Sequence, residues 1–398
     1  MKITHIHIER FRGFQNEDFE VGSLLTAIAG QNGTQKSTLL GIITQTFTLK
    51  TEDSMRVEKP LCGGSYISAF KDKFRLSPTF DKPKGHEWTI SFDAGMDDFT
   101  VESIKRTGDP NVRFWKKGAR QEGDGYISFP TIFLSLKRLV PVAEEAKIIT
   151  DDTLLTQEEL NEFKQLHNKI LIAQTPISSA TTITSKNKQS IGVSTELYDW
   201  NQNSMGQDNL GKIILALFSF KRLHDKYPRQ YKGGILAIDE MDATMYPASQ
   251  VELLKVLRKY ASKLNLQILF TTHSMSLLKA MDDLVQEVTK KEETANQAKI
   301  LYLKKVDDKI AIKQGVNFKG IQLDLNVVAE GNNRKKKNYS IYGRQGKYLI
   351  CKSYFKEQGF CVGFCGCNIT MFNINGTCNQ KSACFYISIF YCYIRWGC

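Results

Sequence analysis

Ten residues near the start of the chain have the types and spacing of a phosphate-binding loop. The stretch 29–38, Ala-Gly-Gln-Asn-Gly-Thr-Gln-Lys-Ser-Thr, lies between the mainly apolar runs 24–28 and 39–43. A β-type run, a glycine-rich turn and a helical pattern form the context that such a loop requires. Backbone N–H groups at a helix N-terminus attract anions, and small residues let the backbone approach phosphates. The stretch therefore predicts nucleotide binding.

Two side chains of this loop have specific expected roles. Lys36 is expected to reach the β- and γ-phosphates of ATP, and the Ser37 hydroxyl to ligate Mg²⁺. Gln35 stands where a glycine usually precedes the lysine, which raises the cost of the tight turn or narrows the phosphate pocket. The alternative interpretation is a glycine-rich turn before an ordinary helix. The remaining predicted nucleotide-binding positions of the loop are Gly30, Asn32, Gly33 and Thr38.

Carboxylates and a histidine follow two later apolar runs. Asp239 and Glu240 end the run that begins at residue 233, Asp242 lies on the next loop, and His273 ends the run that begins at residue 266. Ligands bind at the carboxyl ends of parallel strands. Asp239 is therefore expected to hold Mg²⁺ through water, Glu240 to polarise the attacking water, and His273 to contact the γ-phosphate. A carboxylate pair after a strand is otherwise often a helix cap.

A fourth element precedes a helical pattern in the middle of the chain. Residues 204–211, Ser-Met-Gly-Gln-Asp-Asn-Leu-Gly, place small polar residues and glycines at the start of an amphipathic run. Such a helix start can bind a phosphate held by another subunit, which assigns Ser204, Gly206 and Gln207 to the nucleotide site. A plain N-cap is the alternative. The joint occurrence of four such elements in this order favours the nucleotide-site interpretation.

The elements that must position these residues follow from periodicity. Residues 3–8 alternate as a strand, in which His5 and His7 are interpreted as strand residues and not metal ligands. Short β-like runs at 74–76, 88–92 and 99–104 predict an antiparallel sheet that flanks the nucleotide site. Residues 131–136 form a buried-type strand. A helix is expected from about 156, another helix start at 151–153, and an exposed connection or hairpin at 173–190.

The chain order of these elements and motifs resembles the ABC-type ATPases, in the cohesin/SMC and recombination-repair branch. The resemblance covers about residues 1–290 and rests on GQNGTQKST, NSMGQ, ILAIDE, the Asp242 loop and TTHS, with Gln207 replacing the usual acidic residue. It implies an α/β P-loop NTPase head with a mixed sheet, a flanking antiparallel sheet and a helical insertion. It also implies ATP and Mg²⁺ at the interface of a homodimer, with Ser204 and Gly206 acting in trans. The opening motif RFRGF implies that Arg12 lies near the nucleotide.

The stretch SFPTIFLSLKRLVP and the short insertion look most similar to the OLD (overcoming lysogenisation defect) family and related anti-phage ATPases. Members of that family usually carry a C-terminal Toprim nuclease domain. The domains expected here are an N-terminal lobe at 1–142, a helical insertion at 143–190, and a C-terminal ATPase part at 191–330. Residues 331–398 are expected to be an aberrant remnant of a Toprim domain.

Composition separates this last segment from the rest of the chain. Residues 332–398 contain ten Lys or Arg and one acidic residue, Glu357, so most of the formal net charge of +12 lies there. Eight of the nine cysteines also lie there, and Cys62 is the only other one. Cys361, Cys365 and Cys367 fit no standard zinc spacing. The charge of the body is thus no evidence for DNA binding, and its cysteine usage suits a reducing cytoplasm.

A frameshift explains the unusual segment better than a folded domain does. The lysine run 335–337 implies an A-rich tract, in which a base is easily gained or lost. Read one base onward, residues 337–345 are compatible with ITVYTEDKE and residues 391–398 with IVILDGDV. These resemble the two acidic metal-binding motifs of Toprim, where paired carboxylates hold divalent cations. The agreement of both ends on one frame supports the hypothesis.

The sequence therefore predicts an ATP-hydrolysing head that couples dimerisation to DNA processing, in phage defence or DNA repair, without an intact nuclease. The main alternative is a non-nucleolytic sensor or scaffold that recruits a separate effector. A basic channel would favour DNA handling, whereas an apolar patch beside the insertion would favour a protein partner. A transporter subunit ranks third. The absence of an 18-residue apolar run and of a signal peptide favours a soluble chain without a membrane partner.

Overall fold

The computed structural model describes residues 1–66, 73–93, 95–105, 112–118, 125–140, 148–151, 154–185 and 189–325, with the backbone of four short strands between 340 and 373. The chain divides into two units, Met1–Val328 and Ala329–Cys398, which are described separately. In the second unit, two antiparallel strand pairs are described. The predicted cysteine and frameshift features of 331–398 lie outside the described side chains.

Twenty strands are described. They are β1 Ile3–Phe11, β2 Phe14–Glu20, β3 Leu25–Gly30, β4 Phe47–Thr48, β5 Glu87–Phe92, β6 Phe99–Lys105, β7 Val112–Lys116, β8 Ile127–Ser128, β9 Thr131–Leu134, β10 Ile149–Asp151, β11 Ser179–Thr184, β12 Gln189–Ser194, β13 Gly234–Ile238, β14 Leu266–Thr272, β15 Ala298–Val306, β16 Lys309–Lys313, β17 Ser340–Gly343, β18 Gly346–Leu349, β19 Phe360–Cys365 and β20 Asn368–Asn373.

Six α-helices connect or cover these strands. They are α1 Lys36–Gln45, α2 Gln157–Leu171, α3 Met205–Lys226, α4 Pro247–Lys263, α5 Met275–Val288 and α6 Phe318–Leu325. Their starts carry ordinary signals. Thr156 and Glu159 form a capping box on α2, Pro247 occupies the first turn of α4, and Ser274 caps α5.

The centre of the first unit is a six-stranded mixed sheet in the order β16-β15-β3-β14-β13-β9. Its five strands from β15 to β9 run parallel, and β16 pairs antiparallel at the edge. Alternate residues of the strands enter two different cores, as Ile235 and Leu236 of β13 illustrate. Both faces of the sheet are covered, which explains why its parallel strands read as continuous apolar runs.

The two faces have different covers. On one side, α1 and the flanking antiparallel sheet β2-β1-β5-β6-β7 share a core with the central sheet. On the other side, α2 to α5 contribute to the larger core. The predicted strand at 74–76 is wrong, because Phe74 lies in a loop and packs its ring against Phe11 and Phe114. An α/β fold with a mixed sheet and a flanking antiparallel sheet is thereby confirmed.

The predicted insertion contains its helix and also strands. Helix α2 follows the expected spacing, and the polar stretch after it becomes the hairpin β11–β12, which pairs with β10. The predicted helix start at 151–153 is wrong at Asp151, which ends β10, and its next two residues lie outside the described chain. Phe163 and Ile170 belong to the main core, so this segment is packed into the head.

Candidate functional site

The phosphate-type loop lies between β3 and α1, as the motif predicts. Gly30 has a φ of 151°, and a side chain there would lie 2.4 Å from the carbonyl oxygen of Leu303 on the neighbouring strand. Gly33 has a φ of 81° and open space around it. The loop thus needs glycine at these two positions for different reasons, close approach and left-handed backbone. Asn32 is exposed beside Gly33, and Thr38 is half-buried in the first turn of α1.

Gln35 is the N-cap of α1 and adopts a left-handed backbone with φ 61° and ψ 32°. This conformation costs a non-glycine residue about 1–2 kcal/mol. The side chain makes no capping hydrogen bond. The Gln35 side chain lies against Gly13. A Cβ atom added to Gly13 would be 2.8 Å from the side-chain nitrogen Nε2 of Gln35. Gly13 thus leaves room for the glutamine, and the first-turn N–H groups of α1 remain uncapped for an anion.

Lys36 folds back on the loop that precedes it. Its Nζ atom donates to the carbonyl oxygens of Gly30 at 3.1 Å and Gln31 at 3.0 Å. Burial lowers the pKa of Lys36, and the carboxylates of Asp239, Glu240 and Asp242 oppose that shift. The ammonium is therefore held in place by the loop itself and lies in the field of the acidic residues.

Ser37 and Asp239 meet across the site, although they are far apart in sequence. The Ser37 hydroxyl donates to Asp239 Oδ1 at 2.8 Å, and the Thr271 hydroxyl donates to the same oxygen at 2.7 Å. Asp239 is only 5% exposed at the end of β13. A hydroxyl and a carboxylate oxygen at a helix start are the donors that Mg²⁺ takes beside a nucleotide. Ser37 and Asp239 therefore fit the predicted metal site.

Glu240, Asp242 and His273 surround this pair from the adjacent loops. Glu240 has a φ of 49°, and its N–H donates to the Thr271 hydroxyl at 2.6 Å. One carboxylate oxygen of Asp242 is buried without a hydrogen-bond partner in the described part of the chain. Burial lowers the pKa of His273, with Lys36 acting in the same direction and the carboxylates in the opposite one. The structure thus groups the predicted acid, base and histidine around Lys36.

The predicted second anion site is the start of α3. Ser204 and Gln207 form a capping box, in which the Ser204 hydroxyl accepts from the Gln207 N–H and the Gln207 side chain accepts from the Ser204 N–H. These side chains therefore cap the helix, and their contact with a nucleotide of another subunit stays a prediction. Gly206 has a separate packing role, because a Cβ there would lie 2.5 Å from the carbonyl oxygen of Thr244. The helix start packs directly on the loop that follows Glu240.

Arg12 lies in the turn between β1 and β2, with a φ of 51°. Its guanidinium donates to both carboxylate oxygens of Asp81, at 3.1 and 3.0 Å, and to the carbonyl of Arg75 at 2.7 Å. Asp81 also contacts the buried His86 at 3.0 Å. The described contacts therefore link Arg12 to the flanking sheet, and its role near a nucleotide stays a prediction.

Four residues at the site receive no role from the sequence motifs. Arg138, Asn209, Gln250 and Thr271 contact the loop after β13 through side chains. Arg138 lies four residues after the end of β9, and its place in the chain does not indicate its contacts. Motif spacing does not reveal the supporting roles of the other three, because their contacts with the loop go to backbone carbonyl or N–H groups.

The described residues contain no further metal site and no membrane-spanning helix. No group of three or more His, Cys, Asp or Glu there has the geometry of a metal site, and His5 and His7 pair with Asp18 on the exposed sheet face. Among the described helices, none has the length and apolarity needed to cross a membrane.

The comparison with protein families agrees with the motifs. The family profile of the AAA ATPase domain matches residues 1–190 and 135–278. Curated proteins gave no match.

Solved structures with detectable similarity include two SMC heads and a recombination mediator. An SMC head domain from Thermotoga maritima is 14% identical with a TM-score of 0.43, covering 79% of this chain and 99% of that one. An Smc head with an extended coiled coil, bound to the C-terminal domain of ScpA from Pyrococcus furiosus, is 13% identical with a TM-score of 0.44, covering 82% and 99%. The recombination mediator RecF is 11% identical with a TM-score of 0.40, covering 79% and 98%.

Proposed function

The chain belongs to the AAA ATPase domain family, and from this premise we propose that it binds and hydrolyses ATP as an ABC-type, SMC-like head. The observation that carries the proposal is the 2.8 Å contact between Ser37 and Asp239, with Lys36 beside it. A P-loop serine, a buried acid at a strand end and a loop lysine are the groups that hold Mg²⁺ and phosphates in such enzymes.

The residues of the site have separate tasks in this proposal. Lys36 exchanges its two carbonyl partners for β- and γ-phosphate oxygens, and the uncapped N–H groups of α1 bind the same phosphates. Mg²⁺, when held by Ser37 and Asp239, neutralises charge on the phosphates. Glu240 orients the attacking water and accepts its proton. We assign His273 to a hydrogen bond with the γ-phosphate.

A head-to-head homodimer with ATP between two copies is part of the proposal. In it, Ser204 and Gly206 of one copy contact the nucleotide held by the loop of the other. Met205, in this helix start, and Tyr246, two residues after the Thr244 that packs on it, are 42% and 49% exposed. Exposed apolar side chains next to an anion-binding helix start suit an interface that closes over a phosphate. Gln207 contributes its helix cap and no charge.

Coupling to DNA processing, in phage defence or repair, is the finer part of the proposal and follows the OLD-type resemblance. The alternative is a sensor or scaffold that recruits an effector. We place both in the cytoplasm, where ATP is abundant. A high-accuracy nucleotide sequence of the gene across codons 330–340 and beyond distinguishes the ATPase–nuclease from the sensor or scaffold. A restored acidic domain in another frame supports an ATPase–nuclease, and an unchanged frame supports the sensor.

The proposed ATPase is tested by measuring Mg·ATP binding and phosphate release on the full chain. Lys36→Ala is expected to abolish nucleotide binding, because it removes the only loop cation aimed at the phosphates, while Lys259→Ala on the exposed side of α4 serves as the matched control. Equal binding by wild type and Lys36→Ala would contradict the proposal.

A further inference from the structure

Arg138 is a buried cation that no motif explains. It follows β9 and is 2% exposed, among the largest fully buried side chains of the described chain. All three of its nitrogen atoms donate hydrogen bonds, and in the described part of the chain their acceptors are carbonyl and amide oxygens. Burying a guanidinium costs several kcal/mol unless its donors are satisfied. A buried arginine at this position therefore indicates a specific structural role.

The three directions of the guanidinium join three parts of the site. Nε donates to the Asn209 side-chain oxygen on α3 at 2.7 Å, and Nη2 donates to the Glu240 carbonyl at 2.8 Å. Nη1 donates to the carbonyls of Leu134 and Ser135, at 3.2 and 3.1 Å, at the end of its own strand. Arg138 thus ties the backbone of Glu240 to the first turn of α3.

A second hydrogen bond also joins α3 to this loop, three residues after Glu240. The Asn209 side chain donates to the Ala243 carbonyl at 2.9 Å. Gly206, one turn earlier on α3, packs against the Thr244 carbonyl. Glu240 and Thr244 both have left-handed backbones, with φ 49° and 67°. Such conformations persist only where surrounding contacts enforce them, and α3 with Arg138 supplies those contacts.

We propose that Arg138 is the positioning residue that fixes Glu240 to the start of helix α3, so that engagement of that helix start sets the geometry for hydrolysis. The inference rests on the proposed ATPase function. The described hydrogen bonds of Arg138 all go to protein oxygens, so we assign it a positioning role and no contact with the phosphates. Its charge also lies in the field of Asp239, Glu240 and Asp242, and burial lowers its pKa to about 10, so it remains a cation at neutral pH.

Because Arg138 acts through Glu240, its loss should affect turnover and spare nucleotide binding. Arg138→Met keeps the length of the side chain and removes its donors. We expect kcat to fall at least ~30-fold, since small misplacements of a catalytic group cost up to about 100-fold, with KM and nucleotide Kd within about threefold. Arg138→Lys, with one donor group, should give a smaller loss. Arg258→Met, at an exposed ion pair with Glu287, is the control and should leave kcat unchanged.

Hydrogen exchange provides a readout that does not depend on ATP. The backbone N–H groups of Met241, Ala243 and Met245 donate hydrogen bonds within the loop or to β14. In Arg138→Met these N–H groups should exchange at least ~10-fold faster, because the loop can then open locally without unfolding of the whole protein. Asn209→Ala should show the same pattern, and it replaces Arg138→Met if that variant does not fold. Unchanged exchange in residues 240–246, or turnover reduced only as much as the folded fraction, would overturn the inference.

The two proposals fail in different ways. A wild-type chain that binds no ATP, or binds it without turnover, contradicts the proposed function, and the exchange experiment then decides the positioning role of Arg138 by itself. A wild-type chain that hydrolyses ATP, with an Arg138→Met variant that hydrolyses it equally fast, contradicts the inference and leaves the ATPase intact.

Discussion

The phosphate-type loop, residues 30–38, and the carboxylate loop, residues 239–246, form opposite sides of one site and are held in different ways. The phosphate-type loop is held mainly by its own backbone, through Lys36 and its carbonyl partners. The carboxylate loop is held from outside, by Arg138, Asn209 and Gln250. In such a site the phosphate-type loop, which binds nucleotide, can stay fixed while neighbouring helices shift the carboxylate loop, which carries the hydrolytic residues.

The comparison predicts that damage to the carboxylate loop removes chemistry and leaves binding. Asp239→Asn keeps the shape of the side chain but removes the charge that pairs with Ser37 and a divalent cation. We expect phosphate release to fall about 100- to 1,000-fold, similar to the loss of other preorganised charged groups. Titration of activity with Mg²⁺ measures the effect. A variant with the wild-type Mg²⁺ dependence would exclude Asp239 from the metal site.

Acid should weaken α2, which packs against the two helices α3 and α4 that support the carboxylate loop. Burial lowers the pKa of His167 on α2 from the ordinary 6.5 to about 4. The unfolded chain then binds the proton more tightly, so this stability contribution is complete above pH 6.5 and is lost as the pH falls toward 4. The loss is about 3.5 kcal/mol at most, at 1.4 kcal/mol per pKa unit.

Urea unfolding between pH 7.5 and 4.5 measures this dependence. His167→Leu should make it shallower, because the buried imidazole of α2 is removed and the buried His86, whose pKa burial also lowers, remains. His224→Leu at an exposed position should retain the wild-type slope. The same slope in wild type and His167→Leu would assign the acid sensitivity to other groups.

The contact between α3 and the carboxylate loop can be broken at Gly206. A methyl group there would meet the Thr244 carbonyl at 2.5 Å, a backbone atom that cannot rotate away. Gly206→Ala should therefore cost about 1–3 kcal/mol of folding stability and reduce turnover. ATP binding to the isolated chain should change little, because the phosphate-type loop is held separately. Gly64→Ala, in open space with φ 80°, is a control for glycine strain without a clash.

The smallest expected effect concerns the phosphate-type loop itself. Gln35→Gly and Gln35→Ala both remove the side chain that lies against Gly13, but only glycine relieves the left-handed backbone. The glycine variant should be more stable than the alanine variant by about 1 kcal/mol. Thermal unfolding of the two variants measures the difference. Greater stability of the alanine variant would show that the backbone at this position is not strained.

Much of the fold and part of the site were predictable from the sequence. The loop, the buried strands and helix α2 follow from local periodicity and capping, as at Thr156 and Glu159. The loop at 74–76 was mistaken for a strand, because its apolar residues fill a core between sheet and helix. Arg138 and Asn209 were missed as supports, since hydrogen bonds from side chains to distant carbonyls leave no spacing in the sequence. The roles of the site residues stay predictions.

The most direct test of the account compares wild type with Glu240→Gln, with nucleotide binding and phosphate release measured on the same samples. We expect the two proteins to bind ATP with affinities equal within about threefold. Phosphate release should be at least ~100-fold slower in the variant, because it lacks the base, and an ATP-bound dimer should accumulate. Equal rates of phosphate release in the two proteins would contradict this expectation.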